Sequence, residues 1–123
     1  MAPFLLVVTT VGDRSEAGRL ARVLVERGLA ACAQISAIDS VYAWQGTVEE
    51  GAEFRVLFKV ATAAYAAAEQ AIRELHSYEL PAIHAIPVDR AWGPYQSWIE
   101  ANSTVGADGA SPSAPAADEV DKV

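Results

Sequence analysis

One cysteine, Cys32, is all that 123 residues provide. A lone thiol closes no internal disulfide, so nothing argues for an oxidising compartment. Apolar runs are short, and none approaches the ~18 residues that a membrane-crossing helix needs. The opening Met1-Ala2-Pro3-Phe4 carries neither the basic flank nor the small-residue cleavage site of a secretory signal. Basic residues are scarce, nine against sixteen acidic, for a net charge of −7. Arg14, Arg19, Arg22 and Arg27 alternate with Glu16 and Glu26 and leave no single-sign stripe. Nucleic-acid binding draws most of its affinity from cations that neutralise phosphates, so this balance disfavours it. The expectation is a cytoplasmic protein that binds neither membrane nor nucleic acid.

Apolar residues make up 52% of the chain, but 25 residues are alanine, which leaves enough larger side chains for one modest core. The composition changes after Ser103. Residues 104–123 contain no aromatics and no periodicity, and carry Asp108, Asp118, Glu119 and Asp121 against Lys122. Such a segment buries too little apolar surface to offset chain entropy and reads as a disordered tail. The expected organisation is one domain over 1–103 and a tail over 104–123.

Within the domain, Phe4 to Thr10 is a near-continuous apolar and β-branched run, the pattern of a central strand. Asp13 and Glu16 have the spacing of a capping box, Ala17, Leu20, Ala21, Leu24 and Val25 form one apolar helical face, and Gly28 is a natural end. Residues 31–44 look extended, with an alternation slip near Ala37-Ile38 that suits a bulge. Gln45 to Gly51, with two glycines, reads as a hairpin connection. From Glu53 to Val60 the alternation is clean, with Phe54, Val56, Phe58 and Val60 on one face. Thr62 is the expected cap of a second helix carrying Tyr65, Ala68, Ile72 and Leu75 on one stripe. Ala82 to Val88 makes a last strand, and Pro94 at N1 opens a short helix that turns Tyr95, Trp98 and Ile99 to one side. The order β-α-β-β-α-β is that of the ferredoxin-like split βαβ fold, an α+β architecture. Two helices cover one sheet face. The other face and the edge of the long second strand would need cover, which predicts self-association.

Few residues offer chemistry. Cys32 lies among small apolar residues, as inert buried thiols do, and no catalytic cysteine signature surrounds it. Cys32, His76 and His84 stand at no metal-ligand spacing, so a single-chain zinc site is not expected, although symmetry would multiply each ligand. His84, in an apolar strand, reads as a packed, hydrogen-bonded histidine. His76 ends a helix, where its charged form would suit the dipole. The segment from Leu75 to Ile83 gathers His76, Tyr78 and Glu79 ahead of Pro81. It suits equally a rigid loop whose polar groups satisfy one another and a binding site on a rigid scaffold. Tyr42, Trp44 and Trp98 are large amphipathic groups of the kind that anchor interfaces.

Five blocks in order then carry a family resemblance: Val7-Val8-Thr9-Thr10 leading to Asp13; Leu29-Ala30-Ala31-Cys32-Ala33-Gln34-Ile35; Tyr42-Ala43-Trp44-Gln45-Gly46 with the strand ending at Lys59; Glu74-Leu75-His76-Ser77-Tyr78-Glu79-Leu80-Pro81 with Ile83; and Tyr95 with Trp98-Ile99. The chain resembles the CutA family of divalent-cation tolerance proteins over Phe4 to Ser103. The resemblance implies a ferredoxin-like subunit in a homotrimer similar to the PII signalling proteins, with sheets joined edge to edge and clefts between subunits. It implies a link to copper or other divalent cations, no obligatory cofactor and no catalytic residue. Carried over by position, the inter-subunit cleft would include Cys32, Lys59, His76, Tyr78 and Glu79, with Tyr42, Trp44 and Trp98 nearby. There His76 and Glu79 would ligate copper or zinc weakly, or His76 and Lys59 would meet an anionic ligand. The alternative is a PII-like small-ligand sensor or partner-binding module without physiological metal binding. Ser77 stands where the family usually has proline and Gln34 where it usually has asparagine. Thr9 stands where some members carry a cysteine proposed as a copper ligand, so a soft donor is lost.

Overall fold

The computed structural model describes residues 2–105. Its elements run β1 (Leu5–Val11), α1 (Arg14–Glu26), β2 (Cys32–Trp44), β3 (Thr47–Val60), α2 (Tyr65–Leu75), β4 (Ile83–Pro87) and α3 (Gly93–Asn102). The strands form one antiparallel sheet in the order β2-β3-β1-β4, the ferredoxin-like arrangement that the element order predicts.

The ends of α1 are set by local chemistry. Asp13 accepts the Glu16 N–H at 2.7 Å, satisfying one of the free donors of the first turn. At the other end Gly28 takes φ 72°, where a side chain would be strained. The N–H groups of Gly28 and Leu29 then return to the carbonyls of Val25 and Leu24, a Schellman closure. The apolar face of α1 packs with Ala64, Ala68, Ala71 and Ile72 onto Val7, Val11, Val56, Phe58 and Val60. Alanines on α2 let that helix lie close to the sheet.

Among the described residues, the opposite sheet face is covered at one corner. There Ile99 of α3 is buried with Phe4 and Ala31, and Tyr95 and Trp98 pack around them. Ser103 ties this corner down. Its hydroxyl donates to the Leu29 carbonyl at 2.6 Å and accepts the Ala61 N–H at 2.8 Å. Thr104 still donates its N–H to the Gly28 carbonyl, Val105 is exposed, and residues 106–123 of the expected tail lie outside the described residues.

Several local expectations are corrected. Pairing of β2 with β3 runs from Cys32↔Lys59 to Trp44↔Thr47 without a skipped residue, so there is no bulge at Ala37-Ile38. The alternation slips there because the outer half of the hairpin stands clear of the helices and no face must be apolar. The hairpin connection is only Gln45-Gly46, both at positive φ (50° and 83°), a two-residue turn whose twist matches the strands. Residues 47–51 belong to β3. Thr62 does not cap α2: it starts a 3-10 turn, and its hydroxyl donates to the Ala2 carbonyl. Pro94 is the second residue of α3, after Gly93. His84 is exposed on the outer sheet face beside Val8, rather than packed.

Thr9 is fully buried on the helix side of the sheet, paired with Val56 and Ile83, and its hydroxyl has no hydrogen-bond partner. An orphaned buried hydroxyl is destabilising. Thr9→Val is therefore expected to raise stability by about 1 kcal/mol in urea unfolding; a loss would show that the hydroxyl is satisfied.

Candidate functional site

Alternate residues of a strand share a face, and paired residues share it across strands. Glu53, Arg55, Leu57 and Lys59 of β3 thus look away from the helices, with Cys32 beside Lys59 and Ile38 beside Glu53. Lys59 and Glu53 are six residues apart, which places the two ends of this face about 20 Å from each other. The expected site residues divide between those ends and the ribbon beyond.

At the first end, Lys59 Nζ donates to the Tyr95 hydroxyl at 2.7 Å. The ammonium lies 5.3 Å from the ring centroid, so it sits off the end of the phenol rather than on its π face. The Tyr95 ring meets Phe4 edge-on and lies parallel to Trp98 at 6.1 Å. Burial raises the Cys32 thiol above its ordinary value, opposed by the nearby Lys59 charge and the Tyr95 hydroxyl. For Lys59 burial acts downward, but Tyr95 and Cys32 outweigh it and hold the ammonium above its usual range. No Asp or Glu lies within ion-pair distance of Lys59 among the described residues.

At the second end the loop after α2 crosses the end of β1. The His76 side chain is fully buried, and both its nitrogens are engaged. Nδ1 accepts the Tyr78 N–H at 3.0 Å, which makes Nε2–H the donor to the Thr10 carbonyl at 2.8 Å. His76 is therefore the neutral Nε2–H tautomer, not the charged helix terminus expected. Tyr78 donates its hydroxyl to Glu53 at 2.7 Å. Burial raises the Tyr78 phenol far above its ordinary range, helped by that carboxylate.

One residue that governs this loop was not singled out from the sequence. Glu16 is 6% exposed, and its two oxygens accept the Ser77 N–H at 3.0 Å and the Ser77 hydroxyl at 2.8 Å. The capping-box spacing Asp13-x-x-Glu16 marked it, but as a cap. Only half of that box forms, because the Glu16 carboxylate serves the distant loop. A proline in place of Ser77 would offer neither donor. Within one subunit the polar groups of His76, Ser77 and Tyr78 satisfy one another or Glu16, Thr10 and Glu53.

Glu79 is exposed, and among the described residues no three His, Cys, Asp or Glu side chains converge on a point that would hold a metal. Tyr42 and Trp44 lie far out on the ribbon, both exposed. The Thr9 position is sealed beneath the helices, so a donor there would not face this surface. A single subunit thus brings Cys32, Lys59 and Trp98 together through Tyr95, and His76 and Tyr78 together through Glu16 and Glu53, but does not unite the two groups.

A family model described as CutA1 divalent ion tolerance protein matches residues 5–102. The divalent-cation tolerance protein CutA of Archaeoglobus fulgidus is 34% identical over 94 residues, covering 76% of this chain and 92% of that protein. Its counterpart in Thermus thermophilus is 35% identical over 99 residues, covering 80% and 96%. Among solved structures, the periplasmic CutA of Archaeoglobus fulgidus aligns with a TM-score of 0.80 at 32% identity, over 82% of this chain and 99% of that one. CutA1 from Shewanella sp. SIB1 aligns at 0.79 and 40% identity, over 83% and 96%.

The electrostatics at the first end can be tested through the thiol. Lys59→Met removes a charge that favours the thiolate, so the Cys32 value rises further and the thiolate fraction at pH 8 falls. Iodoacetamide labelling should slow several-fold, since the thiolate is the reacting form; an unchanged rate would show that Lys59 does not act on Cys32.

Proposed function

The chain belongs to the CutA1 divalent ion tolerance family, and on that premise we propose that it works as a homotrimer that engages divalent copper or zinc weakly at clefts between subunits. The observation that carries this reading is the division of the candidate site. Lys59 with Cys32 and Tyr95 occupies one end of the open sheet face, and the His76–Tyr78 loop occupies the other. Closed symmetry is the economical way to bring such separated patches face to face.

The edge of the sheet supports the same reading. β2 is an edge strand of 13 residues, and an unpaired edge of that length is a template for pairing with another chain. Val41, Tyr42, Trp44 and Val48 are exposed along its hairpin, as apolar groups awaiting a neighbour would be. Among the described residues each subunit offers at most pairs of ligating side chains, so a cation shared between subunits would be held loosely. Imidazole and carboxylate together suit copper or zinc better than magnesium or calcium. The family description names tolerance of an ion and no reaction, which accords with the absence of a catalytic role for Cys32 in this reading.

A second reading is favoured by Lys59 itself, a partly buried ammonium held by a phenol and facing no carboxylate among the described residues. A small carboxylate or phosphate ligand would complete it. In that case the trimer is a ligand sensor, and Lys59→Met abolishes stabilisation by the anion.

Calorimetric titration with copper(II) and zinc(II), with light scattering on the same samples, tests the main reading. The expected result is a trimer with a binding free energy of about −4 to −8 kcal/mol per ion, a micromolar-to-millimolar range, saturating at one or three ions per trimer. A monomer, or a trimer that binds neither ion, would overturn it.

A further inference from the structure

The Lys59 ammonium donates to the Tyr95 hydroxyl at 2.7 Å and meets no carboxylate within ion-pair distance among the described residues. A phenol answers a donor but not a charge. The chain as a whole is acidic, and residues 106–123 hold Asp108, Asp118, Glu119 and Asp121 against Lys122, a net −3.

The chain leaves the described fold beside this ammonium. The Ser103 hydroxyl accepts the N–H of Ala61, two residues past Lys59, at 2.8 Å and donates to the Leu29 carbonyl at 2.6 Å. Two residues span at most ~7 Å of chain, so the exit and Lys59 are neighbours. The Lys59 carbonyl accepts the Ala31 N–H at 2.9 Å, which fixes the same corner from the other side. Residues 106–117 then read GADGASPSAPAA, and three carboxylates follow within four residues. From Val105 to Asp118 is 13 residues. A Gly/Ser-type linker of that length has a root-mean-square reach of ~20 Å, enough to bring an acidic group back from the exit to Lys59. The family model ends at residue 102, so this segment lies outside the shared domain.

From the position of the exit and the complementary charge we propose that the segment carrying Asp118, Glu119 and Asp121 docks on Lys59 as its anion. The inference rests on the anion-binding reading of Lys59 above and names the occupant. The chain then carries a tethered competitor, and an external carboxylate or phosphate must displace it. Tethering sets an effective concentration in the millimolar range, so a contact too weak to form between separate molecules still fills the site. Arg27 is the rival cation. It adjoins Gly28, whose carbonyl accepts the Thr104 N–H, and it too is in no ion pair among the described residues. Arg27 is exposed, however, where a pair gains little. Lys59 is half-buried against Tyr95, where solvent and salt screen a pair less.

The test compares the full chain with a full-length variant carrying Asp118→Asn, Glu119→Gln and Asp121→Asn, both at low ionic strength. Calorimetric titration with inorganic phosphate should show affinity tighter by about twofold or more in the variant, because its competitor has lost its charge. This arm changes nothing in the folded body, so it decides the matter even where Lys59→Met fails to fold. In nuclear magnetic resonance spectra of the full chain, the amide signals of residues 118, 119 and 121 should move on Lys59→Met and stay in place on Arg27→Gln. Equal phosphate affinity in both chains, with those signals unmoved by Lys59→Met or moved by Arg27→Gln instead, would overturn the tethered occupant while the anion site stands. If neither chain binds phosphate up to millimolar concentration and the signals ignore Lys59→Met, both fall.

Discussion

A four-stranded sheet has two faces, and the described residues carry helices enough to bury only one. α1 and α2 seal the face formed by Val7, Val56, Phe58 and Val60, and their alanines allow an approach close enough for a small domain to reach a full core. The third helix covers a single corner of the other face. That imbalance shapes what remains. It leaves β2 as a bare edge, sets Lys59 and Glu53 at opposite ends of an open surface, and frees the hairpin to extend beyond the body. The Lys59 end and the hairpin edge sit where the described fold has run out of its own material.

The polar groups at the two ends of that surface are treated differently by their surroundings. At the Lys59 end a charge is partly desolvated and answered by a phenol, an arrangement that tolerates an added anion. At the loop end each strong acceptor already has a donor, and the imidazole is neutral because the Tyr78 N–H needs its lone pair. The first end is open to a ligand by default. The second must exchange internal bonds for external ones, and any ligand there competes with folding of the loop itself.

How much of this could be read from the residues varied with what set each feature. The β-branched run of β1, the strict alternation of residues 53–60 and the Gly28 end are dictated by local periodicity and backbone freedom, and they were legible. The ribbon tip was not, because a strand in open space has no hydrophobic face to declare, and the Gly51 that read as a turn is simply paired with Ser40. Thr62 looked like a cap because its type suits one, yet its hydroxyl was claimed by Ala2, sixty residues away in sequence. His84 was misread since an apolar strand at the surface resembles one inside. The family resemblance collected the candidate site residues but not their separation, which follows from the register. Glu16 escaped because its spacing from Asp13 offered a sufficient local explanation, and nothing in a linear pattern reports a hydrogen bond to residue 77.

The β2–β3 ribbon has one more property, and it concerns length rather than contact. Its thirteen consecutive pairs turn about Gln45-Gly46 without a bulge to absorb a mismatch. Residue position along it is therefore a matter of parity. One residue inserted between the body and the tip would carry Tyr42 and Trp44 to the other side of the ribbon, while one added on each strand would move them outward by a step and reverse both together. Length variation that preserves the present facing must come in twos on each strand, so the ribbon can grow or shrink only in increments of a full pleat.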